Sequence, residues 1–285
     1  MPICVTQLNH SQINNVRQLS QRCKRIDNNA IPLYINILQQ PRHLPLNLLY
    51  YRQNKLLGFL SLFFFYKDGC ELTLMVDPSH RHQGIATQLL AAITPLIITK
   101  NLPAIYFASP KDRNYSHYIN SGFSLQNTEI QMRLVTPLWL KIPENITFEN
   151  ARFEHLQILV EMDNVCFASE GGDIDQFNKI LDDPNYLIII IYLNQAPIGK
   201  VHLQRNEFGI KLSNMAILPN YQGHGNGAYL INHIIEYVIQ NSSLPLILDV
   251  DSNNKKAFNL YKKMGFEIID TWDMWKAPTN TFLNF

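Results

Sequence analysis

The stretch that decides the fold reads LSNMAILPNYQGHGNG at residues 212–227, an apolar segment followed by a glycine-rich turn. The apolar segment predicts a strand that ends at Pro219. The residues after the turn predict a helix, because Leu230, Ile231 and Ile234 share one helical face. A helix that begins directly after glycines exposes its first backbone N–H groups, and its dipole adds partial positive charge there. This turn is therefore a candidate phosphate-binding site.

The glycines alone leave the ligand open, since a tight strand-to-helix turn with nothing bound has the same pattern. Two nucleotide-binding motifs fit poorly. A P-loop needs Lys-Ser or Lys-Thr after its last glycine, where this chain has Ala228 and Tyr229. A Rossmann turn needs a glycine at position 228.

A second pattern follows the first. Residues 246–250 read LILDV and predict a buried strand, and a short helix is predicted after Asn254. That helix ends at Gly265, where a helix C-terminus favours glycine. Asn254 and Tyr261 are nearly two helical turns apart, which puts them on the same side of the helix.

Together the two patterns resemble the signatures of the GNAT family of N-acetyltransferases. The first signature is Gln222-x-x-Gly225-x-Gly227, and the second runs from Asn254 through Tyr261 to Gly265-Phe266. The resemblance implies an α/β fold with a mixed sheet, acetyl-CoA (coenzyme A) as cofactor, and transfer of the acetyl group to a primary amine of a protein or small molecule.

The strand before the glycine turn shows a break in side-chain alternation. Apolar residues alternate through Ile210 and Leu212 and resume one step out of phase at Met215 and Ile217. A β-bulge shifts the alternation in this way, and an irregular strand end would also do so. In the family such a bulge frees backbone groups to hold the thioester.

The first signature occurs a second time, as RHQGIA at residues 81–86, and a Tyr118-x-x-x-Gly122-Phe123 segment follows it. Arg81 precedes Gln222 by 141 positions, half the chain. We therefore expect two tandem GNAT-type acyl-CoA N-acyltransferase domains, at residues 1–140 and 146–285, with a linker at Pro143-Glu144.

The two copies differ at positions that matter for chemistry. Lys111 stands where the second copy has Asn254, and Asn114 where it has Ala257. The first copy has no break in alternation before its loop, and Pro95 is expected to kink or end its helix early. We expect the N-terminal copy to be catalytically degenerate, although its phosphate loop could hold coenzyme A.

The resemblance assigns roles residue by residue. Tyr261 would protonate the departing sulfur. The alternative is that Tyr261 serves only as a packed aromatic residue. Asp249 is a candidate base or only a hydrogen-bonded strand residue, while His202 and His224 are weaker candidates. The cofactor-binding residues of the second copy are Met215, Ala216, Ile217, Gln222, Gly223, His224, Gly225, Asn226, Gly227, Ala228 and Asn254. Those of the first copy are Leu74, Met75, Val76, Arg81, His82, Gln83, Gly84, Ile85, Ala86 and Thr87.

The acceptor side of the second domain is rich in carboxylates. An acidic rim would attract a cationic amine, and an ordinary solvated helix face would look the same. The residues are Glu161, Asp163, Glu170, Asp173, Asp175, Asp182 and Asp183.

Two functional classes stay open: an N-acetyltransferase, and an interaction protein that uses the acetyl-CoA pockets as structural or sensing sites. Length and layout are also similar to the VipF-like effectors of intracellular bacteria, in which case the protein would act inside a host cell and have a protein partner.

Composition sets the remaining expectations. With 285 residues, 46% hydrophobic and 16% charged, the chain predicts folded domains. Its four cysteines lack the spacing of a metal site or a disulfide framework. The longest apolar run, residues 56–66, is too short to span a membrane, and the first five residues do not resemble a signal peptide. We expect a cytoplasmic protein with no bound metal and no nucleic-acid or membrane partner.

Overall fold

The computed structural model describes residues 1–111, 115–167 and 172–283, apart from the side chain of His117. The chain divides into two compact units. Unit 1 comprises Met1–Ile130 together with Asp270–Phe285, and unit 2 comprises Gln131–Ile269. Each unit contains a mixed β-sheet with helices, so the predicted α/β class is confirmed.

Both halves of the chain contain strands and helices. In chain order they are β1 (Ile3–Val5), α1 (His10–Asp27), α2 (Ile35–Leu38), β2 (Asn47–Arg52), β3 (Lys55–Tyr66), β4 (Gly69–Val76), α3 (Ile85–Thr99), β5 (Ala104–Pro110), α4 (Ser116–Asn120), β6 (Ser124–Leu134), β7 (Ile146–Asn150), α5 (Leu156–Phe167), α6 (Ile174–Asp182), β8 (Tyr186–Leu193), β9 (Ala196–Asn206), β10 (Gly209–Ile217), α7 (Asn226–Asn241), β11 (Leu246–Asp251), α8 (Lys255–Lys263), β12 (Phe266–Pro278) and α9 (Thr279–Leu283).

The sheet of unit 1 has the strand order β1-β2-β3-β4-β5-β12-β6. Strands β4 and β5 are parallel and pair from Gly69↔Ala104 to Leu72↔Phe107. Both strands continue beyond this paired part, which leaves an opening between their carboxyl ends. Helix α3 packs an apolar face against the sheet, and the buried residues of that face are Ile85, Leu89, Ile93 and Ile97.

Unit 2 repeats this plan with the order β6-β11-β10-β9-β8-β7. Parallel strands β10 and β11 pair only from Ile210↔Leu246 to Leu212↔Leu248. A separate core under α5 and α6 contains the buried residues Leu159, Met162, Phe177, Ile188 and Ile190. Each fully buried side chain of this kind contributes about 1.5–3 kcal/mol to the free energy of folding.

The last strand of each unit comes from an unexpected part of the chain. Residues 272–278 of β12 pair antiparallel with β5, from Trp272↔Pro110 to Pro278↔Ala104. Residues 131–134 of β6 belong to unit 2. The units therefore differ from the expected division at 1–140 and 146–285, because hydrogen-bond pairing, and not position along the chain, assigns a strand to a sheet.

Of the two effects expected of Pro95, a kink or an early end of its helix, the early end does not occur. Helix α3 continues to Thr99, and Pro95 is on its exposed side. Ile93 and Ile97 are buried on either side of the proline, so apolar packing holds the helix although one N–H donor is missing. Among the described helices, none has the length and apolar content needed to cross a bilayer. Asn114 and Glu170 lie outside the described residues.

Candidate functional site

The glycine-rich loop of unit 2 has the conformation that its sequence predicts. Gly223 and Gly225 have φ angles of 80° and 84°, in the left-handed region that glycine adopts without strain. The Gln222 side-chain amide donates to the carbonyl of Ile217 at 2.8 Å, and the Asn226 amide donates to the carbonyl of Tyr221 at 2.9 Å. These bonds fix the loop so that α7 begins directly after Gly225. Of the first N–H groups of this 16-residue helix, that of Ala228 donates to the carbonyl of Gly225 at 2.9 Å, and those of Asn226 and Gly227 can bind an anion.

The predicted bulge is present in β10. Ser213 pairs with His202 and Ala216 pairs with Lys200, so an advance of three residues along β10 lies opposite an advance of two residues along β9. Asn214 has a φ of 45° at this point. A bulge leaves backbone groups of the extra residue outside the ladder, where they can bind a ligand. The corresponding part of β4 pairs with β3 without a register shift from Glu71 to Val76, so β4 has no bulge at the matching place.

Tyr261 lies against this bulge. Its side chain is 7% exposed, and its hydroxyl donates to the sulfur of Met215 at 3.7 Å. Burial raises the pKa of Tyr261 to about 12, so the hydroxyl keeps its proton at neutral pH. The structure thus brings together two residues that the sequence separates by 46 positions.

Asn254 and Asp249 both have partners within unit 2. The Asn254 side chain caps α8 by accepting from the amide of Ala257 at 3.1 Å. One oxygen of Asp249 forms an ion pair with Lys211 at 2.6 Å, and the other accepts from the Gln131 side chain at 2.9 Å. Both carboxylate oxygens of the candidate base are therefore engaged in the sheet.

The acidic residues on the acceptor side do not all form a rim. Asp163 is buried and ion-paired with Lys200 at 2.7 Å. Asp173 caps α6, and Asp183 accepts from the amide of Asn185. Glu161 and Asp175 are exposed. The inclusion of Asp163 in an acidic rim is therefore wrong, and its partner is Lys200, which no sequence motif marks.

The two histidine candidates lie in different environments. His202 is 2% exposed, and its pKa is held well below the ordinary value by burial and by the Lys200 charge. His224 is exposed in the glycine-rich loop.

The loop of unit 1 is held by a different first residue. Arg81 donates to both carboxylate oxygens of Asp27, at 2.8 and 2.6 Å, and weakly to the carbonyl of Val76 at 3.3 Å. Gln222 bonds to the matching carbonyl in unit 2, so both side chains position their loops from the end of the preceding strand. Gly84, with a φ of 75°, precedes α3 as Gly225 precedes α7.

A cavity of about 1040 Å³ opens in unit 1 beside this loop. Of the ten residues predicted to bind cofactor in the first copy, nine line it, and Gln83 does not. Tyr118 also lines the cavity, as do Phe282 and Leu283 of α9. Binding sites for small ligands and cofactors commonly have about 300–1,000 Å³, so the cavity is large enough for a sizeable cofactor. The lining residues Cys23 and Phe282 have no motif that would have marked them.

Both units contain diverging parallel strands, a loop with left-handed residues, and a helix that begins at the loop. This arrangement is typical of acyltransferases that bind an acyl thioester. The model of the acetyltransferase (GNAT) family matches residues 13–117 and 154–266, so the chain belongs to the GNAT family.

Relatives and solved structures agree with this membership. N-alpha-acetyltransferase 50 of Danio rerio is 28% identical over 102 residues, which cover 34% of this chain and 61% of that protein. An uncharacterized N-acetyltransferase of Mycobacterium tuberculosis is 29% identical over 97 residues, 34% of this chain and 62% of its own length. The chain therefore spans less than two thirds of either relative.

Two solved structures share the fold along almost the whole chain. A GNAT N-acetyltransferase from Sphaerobacter thermophilus has a TM-score of 0.74 at 13% identity, covering 98% of this chain and 96% of that one. A tandem GNAT protein from the clavulanic acid biosynthesis pathway has a TM-score of 0.70 at 15% identity, with 98% of both chains covered. The tandem arrangement of two GNAT domains is thereby confirmed.

Proposed function

We propose that this protein is an N-acetyltransferase that moves an acetyl group from acetyl-CoA to a primary amine, with unit 2 carrying the chemistry. The observation that supports this most directly is the contact of the Tyr261 hydroxyl with Met215 at the bulge. A proton donor and free backbone groups then lie at one point, where β10 and β11 diverge. Acetyl transfer needs both, because the thioester carbonyl must be polarised and the leaving sulfur protonated.

The residues of unit 2 fit such a cofactor. A Cβ at Gly223 would meet no atom within 4 Å, so the loop faces open space. A Cβ at Gly227 would lie 3.2 Å from Leu260 and 3.3 Å from Met215, so glycine lets the start of α7 approach these two side chains closely. Amides from Gly223 to Gly227 would bind the phosphates, whereas that of Ala228 donates to the carbonyl of Gly225. Met215, Ala216 and Ile217 would hold the pantetheine and thioester by backbone groups. Acetyl-CoA would supply the activated acyl group.

Tyr261 is then the general acid in this proposal. A neutral hydroxyl that keeps its proton to high pH can donate it as the sulfur departs, without a buried charge beforehand. Asp249 remains a proposed base whose ion pair with Lys211 would have to open first. The exposed carboxylates Glu161 and Asp175 would favour an acceptor with a cationic amine.

Unit 1 would bind coenzyme A without turning it over. The cavity beside residues 81–87 supports binding of coenzyme A. The regular pairing of β4, which has no bulge from Glu71 to Val76, argues against thioester chemistry in unit 1. The relatives act on amines by name, an N-alpha-acetyltransferase among them, and a polypeptide α-amine is therefore one acceptor to test.

The test is acetyl-CoA turnover, followed as released thiol, with α-amino peptides, lysine peptides and small polyamines as acceptors. Gly225→Glu should abolish turnover by adding bulk and negative charge at the start of α7. Gly84→Glu is the matched control, because both glycines have similar φ angles and both precede a helix. Loss of turnover in Gly84→Glu alone would assign the chemistry to unit 1, and no turnover with any amine would overturn the proposal.

A further inference from the structure

A buried polar network occupies the core of unit 2 under α5 and α6. Lys200 on β9 has a fully buried side chain, and its ammonium lies 2.7 Å from Asp163 of α5 and 2.9 Å from Nε2 of His202. The rings of Phe177 and Phe167 lie 5.3 and 5.7 Å from the same nitrogen. Asp163 also accepts from the amide of Gly172 at 2.9 Å. Nothing in the proposed mechanism uses these side chains.

The fold itself does not require charge at this place. In unit 1 the residue that corresponds to Lys200 is Phe59, 141 positions earlier, and it pairs with Met75 as Lys200 pairs with Ala216. Phe59 is fully buried, so an apolar side chain fills the same position of the same fold. A buried ion pair seldom stabilises a fold more than well-packed apolar residues do, because both charges lose their water. Stability therefore does not account for Lys200.

The network and the bulge occur together. His202 and Lys200 are the two residues of β9 that pair on either side of the bulge, with Ser213 and Ala216. In unit 1 the matching strand has Phe59 and Ser61, and no bulge lies opposite them. The contact between Lys200 and His202 thus joins the two side chains that flank the irregular step, and Asp163 ties them to α5.

We propose that Lys200 is a positioning residue that, with Asp163 and His202, holds the bulge at Asn214 and Met215 in the shape required for acetyl transfer. The network acts through the backbone of β9 and touches neither cofactor nor acceptor. Its link to turnover rests on the proposed function of unit 2, whereas its link to the bulge does not.

The test variant removes the charges and preserves the packing. In Lys200→Met combined with Asp163→Asn, a thioether replaces the ammonium over Phe177, and the new amide oxygen can still accept from Gly172. Lys200→Met alone should lower the melting temperature, because it leaves the Asp163 carboxylate buried without a counter-charge. The matched control is Lys24→Met with Asp270→Asn in unit 1, where Asp270 likewise pairs with a lysine and accepts a backbone amide, that of Ala30.

The first readout is hydrogen exchange, which needs no activity. In the double variant, amides of residues 213–217 should exchange about tenfold faster, while those of β8 keep the wild-type rate, because only the bulge loses its support. The control pair should leave both rates unchanged. Unchanged exchange at residues 213–217 would overturn the proposal.

The second readout separates positioning from binding. The value of kcat should fall by about 10- to 100-fold, with KM for acetyl-CoA within about threefold, because a misplaced thioester affects the chemical step. An unchanged kcat in a folded double variant would show that the network does not serve turnover. If the double variant does not fold, His202→Phe replaces it, because this change keeps a ring beside Phe177 and leaves the Asp163–Lys200 pair intact. His202→Phe must then also raise the exchange rate of residues 213–217 and lower kcat. If the wild-type protein acetylates no amine, the proposed function fails, and hydrogen exchange still decides whether the network holds the bulge.

Discussion

Replacing Tyr261 by phenylalanine tests the proposed mechanism with the smallest structural change available. The substitution removes one oxygen, and the ring keeps its edge contact with Phe266, 6.0 Å between centroids. The hydroxyl bonds to a thioether sulfur at 3.7 Å, which is a weak interaction. We therefore expect the free energy of unfolding to change by no more than about 1 kcal/mol.

The effect on the rate should be much larger. A positioned proton donor contributes about 10²- to 10⁴-fold, so the activation free energy should rise by about 3–5 kcal/mol. The loss should appear in kcat and leave KM for acetyl-CoA within a few-fold, because the proton is needed only as the sulfur departs. Since burial raises the pKa of Tyr261 to about 12, the acid form persists as the pH rises from 6 to 10, and Tyr261 should cause no loss of kcat in that range.

Steady-state kinetics of the two forms with an accepted amine give the answer, and Tyr118→Phe is the matched control in unit 1. That control should change kcat less than about twofold, because the uninterrupted β4 has no bulge to hold a thioester. Equal kcat values for wild type and Tyr261→Phe would remove Tyr261 from the mechanism. A large loss in Tyr118→Phe would show that unit 1 is an enzyme.

Two further predictions concern stability. The unfolded chain loses the Tyr261 proton near pH 10 and the folded chain near pH 12. The stability of the folded state is therefore unaffected by the titration of this group below pH 10, and about 2–3 kcal/mol of unfolding free energy is lost as the pH rises through 12. Tyr261→Phe should remove this part of the pH dependence of the unfolding free energy, measured by denaturant titration. Gly265→Ala should lower the unfolding free energy by about 3 kcal/mol or more, because the φ of Gly265 is +97° and the new Cβ would lie 1.8 Å from the carbonyl oxygen of Thr136. The control Gly84→Ala meets no atom within 4 Å and should lower it by about 1 kcal/mol. Equal losses in the two variants would contradict the steric argument.

Local sequence patterns predicted the features that local physics determines. The break in alternation between Leu212 and Met215 predicted the bulge, because a period-two pattern records each extra residue. The glycines at 223 and 225 predicted a tight turn before a helix, and in the structure both adopt the left-handed backbone conformation that few other residues adopt.

Features that depend on distant pairing were not predictable. Residues 270–278 carry an ordinary strand pattern, and no local property shows that they pair with β5 and not with a strand of the second half. Arg81 matched the signature, yet its ion pair with Asp27 depends on where α1 packs. Lys200 lies within an apolar strand, and only the position of α5 makes Asp163 its partner.

Met215 connects the proposed phosphate-binding turn of unit 2 with the proposed acid. Its methyl carbon lies 3.3 Å from the point where a Cβ of Gly227 would stand, and its sulfur accepts from the Tyr261 hydroxyl. A methionine side chain changes rotamer at little cost, so room at the start of α7 can be made without backbone movement. On the proposed function, displacing this side chain would also release the Tyr261 hydroxyl from the sulfur it now bonds, so that the proton donor becomes available at the moment the thioester arrives. A rigid side chain at position 215 would not couple the opening of room at α7 to the release of the Tyr261 hydroxyl.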